Sequence, residues 1–223
     1  MQQTNMQEIK AFNEQRAEIY WWLSGIFIRP LTPSELNAYH QPEIKAFLSG
    51  LGNNKVLKSA TNKLIKVIRQ IESDPQAHKK LADDFQLLYI RSDHNGPKAS
   101  PCASAYVDDP TLPARKITEL MQQKGIQEDS KFHEPADHLA TELDLLSHMI
   151  IRSNELEKPE HMDLAFLEQK NFIEDDLLNW LPAFVKRCAE YDSLGFYRHV
   201  SDLLLNFCRL DSSYLSAGTS EKK

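Results

Sequence analysis

The apolar residues of this 223-residue chain recur at intervals of three and four over most of its length. This spacing places them on one face of an α-helix, because an α-helix completes a turn every ~3.6 residues. No alternation of apolar and polar residues is long enough for a sheet, and only 7 Gly are present. We therefore predict an all-α fold, a helical bundle. In the first segment the positions at helical spacing are Ile9, Phe12, Arg16, Ile19, Leu23 and Ile26.

Proline, glycine and polar residues indicate where the predicted helices begin and end. Residues 32–35, Thr-Pro-Ser-Glu, have the pattern of a helix N-cap with a capping box. Residues 92–113 contain four prolines and predict a long loop, and Gly125 is the predicted end of the following helix. We divide the chain into an N-terminal helical half at 1–124, a polar hinge at 125–133, a C-terminal helical half at 134–215 and a disordered tail at 216–223.

Charge, hydropathy and cysteine content argue against several classes of protein. The chain has 26 Lys+Arg and 32 Asp+Glu, a formal net charge of −6, and it lacks the basic run of a nucleic-acid binder. Its longest apolar stretch, residues 19–28, is shorter than the roughly 20 residues of a membrane span. The polar N-terminus does not resemble a secretory signal, and three widely spaced cysteines do not suggest disulfides. We expect a cytoplasmic protein that binds no nucleic acid and has no membrane span.

The densest group of polar residues is the stretch 134–138, Glu-Pro-Ala-Asp-His, followed by Glu142. If Pro135 is the first residue of a helix, then Glu134, His138 and Glu142 lie on one helical face. Acidic residues stabilise the N-terminus of a helix, so the group has a purely structural interpretation. The alternative is a helical hydrolase that uses this Glu/His/Glu cluster as acid and base.

No further catalytic or metal motif accompanies this cluster. His133 and His138 are five residues apart, whereas the HExxH zinc motif requires a spacing of four. The sequence also lacks a phosphate-binding glycine loop and a G-x-S-x-G elbow. We therefore expect no metal, no cofactor and no catalytic residue. Besides the hydrolase, a plain scaffolding module remains as a third interpretation.

The same stretch carries a resemblance to a known family. Glu134-Pro135-Ala136-Asp137-His138-Leu139 resembles the E-P-x-D-H-apolar signature of the TorD family of redox-enzyme maturation chaperones. A second, weaker motif is a Pro/Ser/Tyr loop, here Pro101, Ser104 and Tyr106, preceded by a segment that contains Asp84. In this loop Cys102-Ala103 replaces the proline and aromatic residue that are often found there. The resemblance extends in order over nearly the whole chain.

The resemblance implies a cytoplasmic chaperone with no reaction of its own. It implies that the chain binds a molybdenum-containing trimethylamine N-oxide reductase in its apo-form, including the twin-arginine signal peptide, and keeps it competent for cofactor insertion before export. The partner-binding residues that it implies are Glu134, Pro135, Asp137, His138, Leu139, Glu142, Asp84, Ser104 and Tyr106.

A receptor for such a peptide needs acidic groups beside an apolar groove, because the peptide presents two guanidiniums and an apolar stretch. The expected acidic groups are Glu134, Asp137 and Glu142. The helix of Leu139, Leu143 and Leu146 is the candidate for the groove, and the same positions also suit an ordinary core helix. We expect Asp137 and His138 near the exposed start of that helix.

The predicted hinge at 125–133 also bears on the oligomeric state. If the helices before it pack on the helices after it, an extended hinge would let two chains exchange halves. We therefore expect a homodimer population in which domain swapping can occur.

Overall fold

The computed structural model describes residues 2–90, 96–126 and 134–220. In these ranges the regular structure is helical, which confirms the all-α prediction, and extended backbone pairs only at a single bridge between Cys102 and His138. The α-helices are α1 (Gln2–Ile28), α2 (Pro33–Ala38), α3 (Pro42–Gly52), α4 (Lys58–Glu72), α5 (Ala77–Phe85), α6 (Leu112–Lys124), α7 (Leu139–Ser153), α8 (Pro159–Asn171), α9 (Leu178–Tyr191) and α10 (Phe196–Ser220). π-Helical turns form at Gln86–Ile90 and Phe172–Leu177, and a 3-10 turn forms at Ala103–Ala105.

The chain forms two compact units, each built from segments that are distant in sequence. Unit 1 comprises Met1–Ile28, Cys102–Trp180 and Asp211–Lys223, and unit 2 comprises Arg29–Pro101 and Leu181–Leu210. This division differs from the two predicted halves, because the end of α10 belongs to the same unit as α1. The halves joined by a hinge stay a prediction, and residues 127–133 of that hinge lie outside the described residues.

Two predicted helix ends have the expected local geometry. The hydroxyl of Thr32 accepts a hydrogen bond from the backbone N–H of Glu35 at 3.2 Å, and Glu35 Oε2 accepts one from the backbone N–H of Thr32 at 2.8 Å. Gly125 ends α6 with a φ of 62°, a left-handed conformation that favours glycine. Residues 216–220, which we expected in a disordered tail, continue α10, and residues 221–223 lie outside the described residues.

The core of unit 1 is organised by the pairing of α1 with α7, its most extensive helix contact. Small residues allow the two helices to approach: Ser24 Oγ donates to the carbonyl of Ala140 at 2.9 Å, and Ser147 Oγ donates to the carbonyl of Ala17 at 3.1 Å. Leu139, Leu143 and Leu146 are fully buried in this unit. The expectation that they offer an open groove is therefore wrong, because they form core.

A charged network also lies inside unit 1. Arg16, which is 2% exposed, donates from Nε and Nη2 to the two carboxylate oxygens of Asp211 at 2.5 and 2.9 Å. Nη2 also donates to Gln169 Oε1 at 3.0 Å, and the hydroxyl of Tyr20 donates to Asp211 Oδ2 at 2.9 Å. The network thus joins α1 and α8 to the part of α10 in this unit.

Within the part of the chain that the structure describes, none of the helices carries an apolar stretch long enough to cross a bilayer.

Candidate functional site

The stretch 134–138 forms a turn before α7 and is not its first turn. The N-cap of α7 is His138, whose backbone N–H donates to the carbonyl of Pro135 at 2.9 Å. Glu134 and Pro135 therefore precede the helix, and both are exposed. The prediction that Glu134, His138 and Glu142 share a helical face is wrong. The physical reason is that the His138 side chain caps the helix, since Nδ1 accepts a hydrogen bond from the backbone N–H of Ala140 at 3.1 Å.

Asp137 and His138 are buried, with exposed fractions of 2% and 4%. The expectation that they lie near an exposed helix start is therefore wrong. Burial lowers the pKa of His138 to about 4, against a smaller raising effect from the charge of Asp137. The imidazole of His138 is consequently neutral at neutral pH. Its role as a helix cap requires this state, because a protonated Nδ1 cannot accept a hydrogen bond.

Asp137 attaches the Pro/Ser/Tyr loop to the turn before α7. Its Oδ2 accepts a hydrogen bond from the backbone N–H of Ser104 at 2.8 Å, and its carbonyl accepts one from the backbone N–H of Ala103 at 3.0 Å. Further along the loop, Tyr106 stacks on Trp180, with ring centroids 5.5 Å apart. The structure thus brings Ser104 and Tyr106 of the loop and Asp137 of the signature into one arrangement in unit 1.

Replacement of Asp137 by alanine is expected to lower the free energy of unfolding by about 1–3 kcal/mol, because it removes the acceptor of the Ser104 N–H in a buried position. Urea denaturation followed by circular dichroism measures the loss. Asp137→Asn is the matched control, since it keeps a side-chain oxygen and should lose less. An Asp137→Ala chain as stable as the unmodified chain would show that this hydrogen bond does not hold the loop.

An acidic cavity of about 280 Å³ lies in unit 1 beside this loop. Its walls come from the loop, from α6, from α7 and from the helical segment around Asp176. The apolar lining consists of Ala103, Val107, Leu112, Pro113, Ile117 and Trp180. The charged lining consists of Asp108, Asp109, Asp175, Asp176, Glu142 and Lys116. Acidic groups and an apolar surface therefore occur together here, as expected for a peptide receptor, although most of these residues are not the predicted ones.

Glu142 is the buried carboxyl of this cavity. Its side chain is 1% exposed. Burial raises the pKa of Glu142 well above its usual range, and the charges of Asp137 and Asp176 raise it further, while a hydrogen bond with the Trp180 side chain lowers it. Glu142 therefore retains its proton to a higher pH than an exposed glutamate does.

The cavity contains one ion pair, in which Lys116 Nζ lies 3.4 Å from Asp176 Oδ1. The Lys116 side chain is 50% exposed and that of Asp176 is 25% exposed. Burial raises the pKa of Asp176, and the charge of Lys116 offsets part of this effect. Among the residues that the structure describes, no three His, Cys, Asp or Glu side chains are grouped as metal ligands would be.

Comparison with known proteins identifies the family. The family model described as nitrate reductase delta subunit matches residues 53–186. The chain is 48% identical to the chaperone protein TorD of Vibrio parahaemolyticus over 214 residues, which cover 94% of this chain and 99% of that protein. It is 47% identical to the TorD of Vibrio vulnificus and 41% identical to that of Photobacterium profundum, again over 94% of this chain and over 99% and 98% of those proteins. The chain belongs to the TorD family of redox-enzyme maturation chaperones.

TorD relatives are named chaperones, which is not an enzymatic role, and this agrees with the expectation that the chain catalyses no reaction.

Asp84, the remaining residue that the TorD resemblance implies, lies in unit 2 and not in the unit of the cavity. Its Oδ1 accepts a hydrogen bond from the hydroxyl of Ser193 at 2.7 Å, and its Oδ2 accepts one from the backbone N–H of Leu194 at 3.0 Å. Next to it, burial raises the pKa of Asp192 to about 6, with the Asp84 side chain adding to the shift. The bonds of Asp84 thus hold the connection between α9 and α10, and contact of Asp84 with a partner stays a prediction.

Sequence reasoning missed the four aspartates of the cavity, although a signal for them was present. They occur as two adjacent acidic pairs, at 108–109 before a proline and at 175–176 within an amphipathic segment. Two adjacent acidic residues are typical of any solvated surface, so neither pair indicates a binding site by itself. The pairs become candidates for a site only because the fold brings them to one cavity.

Proposed function

We propose that this TorD-family chain is a cytoplasmic chaperone for a molybdenum-containing trimethylamine N-oxide reductase. It binds the apo-enzyme, including the twin-arginine signal peptide, and keeps it competent for cofactor insertion before export. The observation that carries the proposal is the cavity of unit 1, where carboxylates and apolar side chains line the same space. The relatives named TorD support it, since they match this chain over nearly their full length.

The chemistry of the cavity suits a peptide of this kind. A twin-arginine peptide presents guanidinium groups, which form strong charge-assisted hydrogen bonds with carboxylates. It also presents an apolar stretch, which is bound by burial of its side chains against an apolar surface. Val107 and Leu112, which are partly exposed, offer such a surface within the cavity that contains the aspartates.

The predicted site residues take two kinds of role in this proposal. The exposed Glu134 and the half-buried Tyr106 are available to contact a partner. The buried Asp137 and His138 position the loop and the start of α7 through the hydrogen bonds described above. Pro135, Leu139 and Ser104 contribute backbone geometry and packing, and Glu142 contributes the buried carboxyl of the cavity. The homodimer and its domain-swapped form stay predictions.

Calorimetric titration of the purified chain with the reductase's signal peptide tests the proposal. We expect saturable binding of one peptide per chain, because the cavity offers one acidic and apolar site in unit 1. A peptide of the same composition in scrambled order is the control and should bind more weakly. Equal binding of the two peptides, or no binding of either, would contradict the proposed function.

The hydrolase alternative finds no support in this geometry. It requires Glu134, His138 and Glu142 on one face, but Glu134 precedes α7 and the His138 ring serves as the helix cap.

A further inference from the structure

The helices α3 and α4 of unit 2 carry positive charge that no acid within the same stretch of sequence balances. The stretch 44–71, which contains most of both helices, has six Lys or Arg residues and no Asp or Glu, although the whole chain has a formal net charge of −6. The six are dispersed and form no basic run, and all of them are exposed: Lys45, Lys55, Lys58, Lys63, Lys66 and Arg69. The stretch therefore differs in charge from the rest of the chain.

The fold gathers three of these cations at a groove between α3 and α4, with a volume of about 450 Å³. Lys45 near the start of α3 lies close to Glu72 at the end of α4, so the two helices are antiparallel. Three cations and two neutral polar residues line this basic groove: Lys45, Lys66, Arg69, Ser49 and Asn62. Among the described residues, no acidic side chain lines it.

Two of the three cations have no acidic partner. Lys45 Nζ lies 3.7 Å from Glu72 Oε1, and both side chains are about half exposed, so this ion pair is weak. In the part of the chain that the structure describes, Lys66 and Arg69 form no ion pair. Like charges that face one groove repel each other, most strongly at low ionic strength. The approach of carboxylates from a partner would relieve this repulsion.

We propose that the basic groove docks an acidic segment in the mature part of the reductase, the part that follows the signal peptide. The inference rests on the proposed function, because the reductase is the source of that segment. It goes beyond that function by assigning a second contact to unit 2, whereas the acidic cavity assigned to the signal peptide belongs to unit 1. The two surfaces have opposite charge, so each selects a different part of the client.

The spacing of the unpaired cations suits carboxylates on a helix. Lys66 and Arg69 are three residues apart on α4, which places their Cβ atoms about 5–6 Å apart on one helical face. Acidic residues three or four positions apart on a partner helix present carboxylates at a similar interval. Arg69 can hold a carboxylate through two parallel N–H donors, and Lys66 adds a point charge. An acidic helical segment therefore matches this edge of the basic groove.

The basic groove also has an apolar element, which an inorganic anion would not use. Ile65 is half-buried and belongs to the lining. The aliphatic stems of Lys45 and Lys66 can cover further apolar surface while their ammonium groups stay in water. A segment that carries apolar side chains beside its carboxylates therefore gains contacts that a simple anion does not.

A nucleic acid is the other polyanion that a basic groove attracts, but this lining suits it less well. Proteins hold single strands by stacking bases on aromatic side chains as well as by positive charge. Tyr39 is the aromatic residue in the described lining, and it is 5% exposed. The basic groove thus offers charge without a stacking surface, which favours a protein segment.

Binding of the mature apo-reductase, prepared without its signal peptide, tests the basic groove. In Lys66→Gln/Arg69→Gln the two unpaired cations are removed, while glutamine preserves helix propensity. We expect this double variant to bind the mature apo-reductase about five- to tenfold more weakly at low salt. Its affinity for the signal peptide should stay within about twofold of that of the unmodified chain, because the peptide is assigned to unit 1.

Lys79→Gln/Lys186→Gln is the matched control. Both lysines are exposed residues of unit 2 that do not line the basic groove, and the control removes the same charge. It should change neither affinity by more than about twofold, since isolated surface charges contribute little.

Salt and competitors identify the kind of partner. Raising the salt concentration from about 0.05 M to about 0.3 M should weaken binding of the mature apo-reductase to the unmodified chain more than to Lys66→Gln/Arg69→Gln, because salt screens the charges. Polyglutamate should compete with the mature apo-reductase, and a single-stranded oligonucleotide of equal charge should compete less. Stronger competition by the oligonucleotide would overturn the assignment of a protein segment.

The outcomes also separate this inference from the proposed function. If the unmodified chain binds neither the signal peptide nor the mature apo-reductase, the proposed function fails and the docking surface fails with it. If the chain binds the signal peptide but not the mature apo-reductase, or if the two double variants lose the same affinity, the docking surface is overturned while binding of the signal peptide stands.

Discussion

Replacement of Asp211 by alanine is expected to lower the free energy of unfolding by about 3–5 kcal/mol, because it leaves the buried Arg16 guanidinium without its carboxylate. Both side chains are 2% exposed, and the pair is bidentate, with N–O distances of 2.5 and 2.9 Å. The Tyr20 hydroxyl would lose its acceptor as well. Urea denaturation at neutral pH, followed by circular dichroism, measures this loss.

A double variant distinguishes the ion pair from the packing around it. In Arg16→Met/Asp211→Leu both charges are removed, so we expect it to be clearly more stable than Asp211→Ala, because no buried charge lacks a partner. Glu119→Ala is the control for a carboxylate at the surface. It breaks an exposed pair with Arg115 at 4.0 Å and should cost less than about 1 kcal/mol. Similar losses in Asp211→Ala and Glu119→Ala would contradict the importance of the buried pair.

Replacement of Glu142 by glutamine is expected to change how stability depends on pH. The pKa of Glu142 is raised in the folded chain, so above its ordinary value of 4.5 the unfolded chain loses the proton while the folded chain keeps it. The folded state then binds more protons than the unfolded state, and stability falls as pH rises, by up to about 1.4 kcal/mol per pH unit. Glutamine does not titrate, so this contribution is absent from the variant.

The measurement is the difference in unfolding free energy between Glu142→Gln and the unmodified chain at several pH values between 4 and 8. We expect the difference to change in favour of the variant as pH rises from about 4.5, until the folded pKa is reached. Any cost of burying the amide is the same at every pH, so it does not alter the slope. A difference that is constant with pH would show that Glu142 titrates normally.

Periodicity and helix-end chemistry were sufficient to predict the helical architecture. The capping box of Thr32 and the C-terminal Gly125 depend on neighbouring residues only, and both have the expected geometry. In the predicted stripe of α1, Ile19, Leu23 and Ile26 are buried, whereas Phe12 is 41% exposed. Arg16 was part of that stripe, and a charged residue among apolar positions could have indicated a buried partner. The partner itself, Asp211, is 195 residues away, so local pattern could not identify it.

The candidate site was only partly predictable. The signature stretch does lie beside the cavity. From the sequence alone, α7 could begin at Pro135 or at His138, because both residue types occur at helix starts, and contacts with the rest of the fold decide between them. In the fold, the bond from Ser104 to Asp137 holds the turn and leaves His138 as the cap. The four aspartates of the cavity come from two segments about 65 residues apart, and their meeting is a property of the fold.

The π-helical turn at Phe172–Leu177 separates α8 from α9 without ending the helical path. An α-helix rotates by about 100° for each residue, so one extra residue in this turn offsets the two helices by about that angle. Asp175 and Asp176 lie within the turn, and Trp180 follows it directly. The wall of the cavity is therefore set by chain length as much as by residue type. Deletion of a single residue from this turn would therefore rotate Trp180 relative to the rest of the cavity. The other side chains that line the cavity would keep their chemical identity.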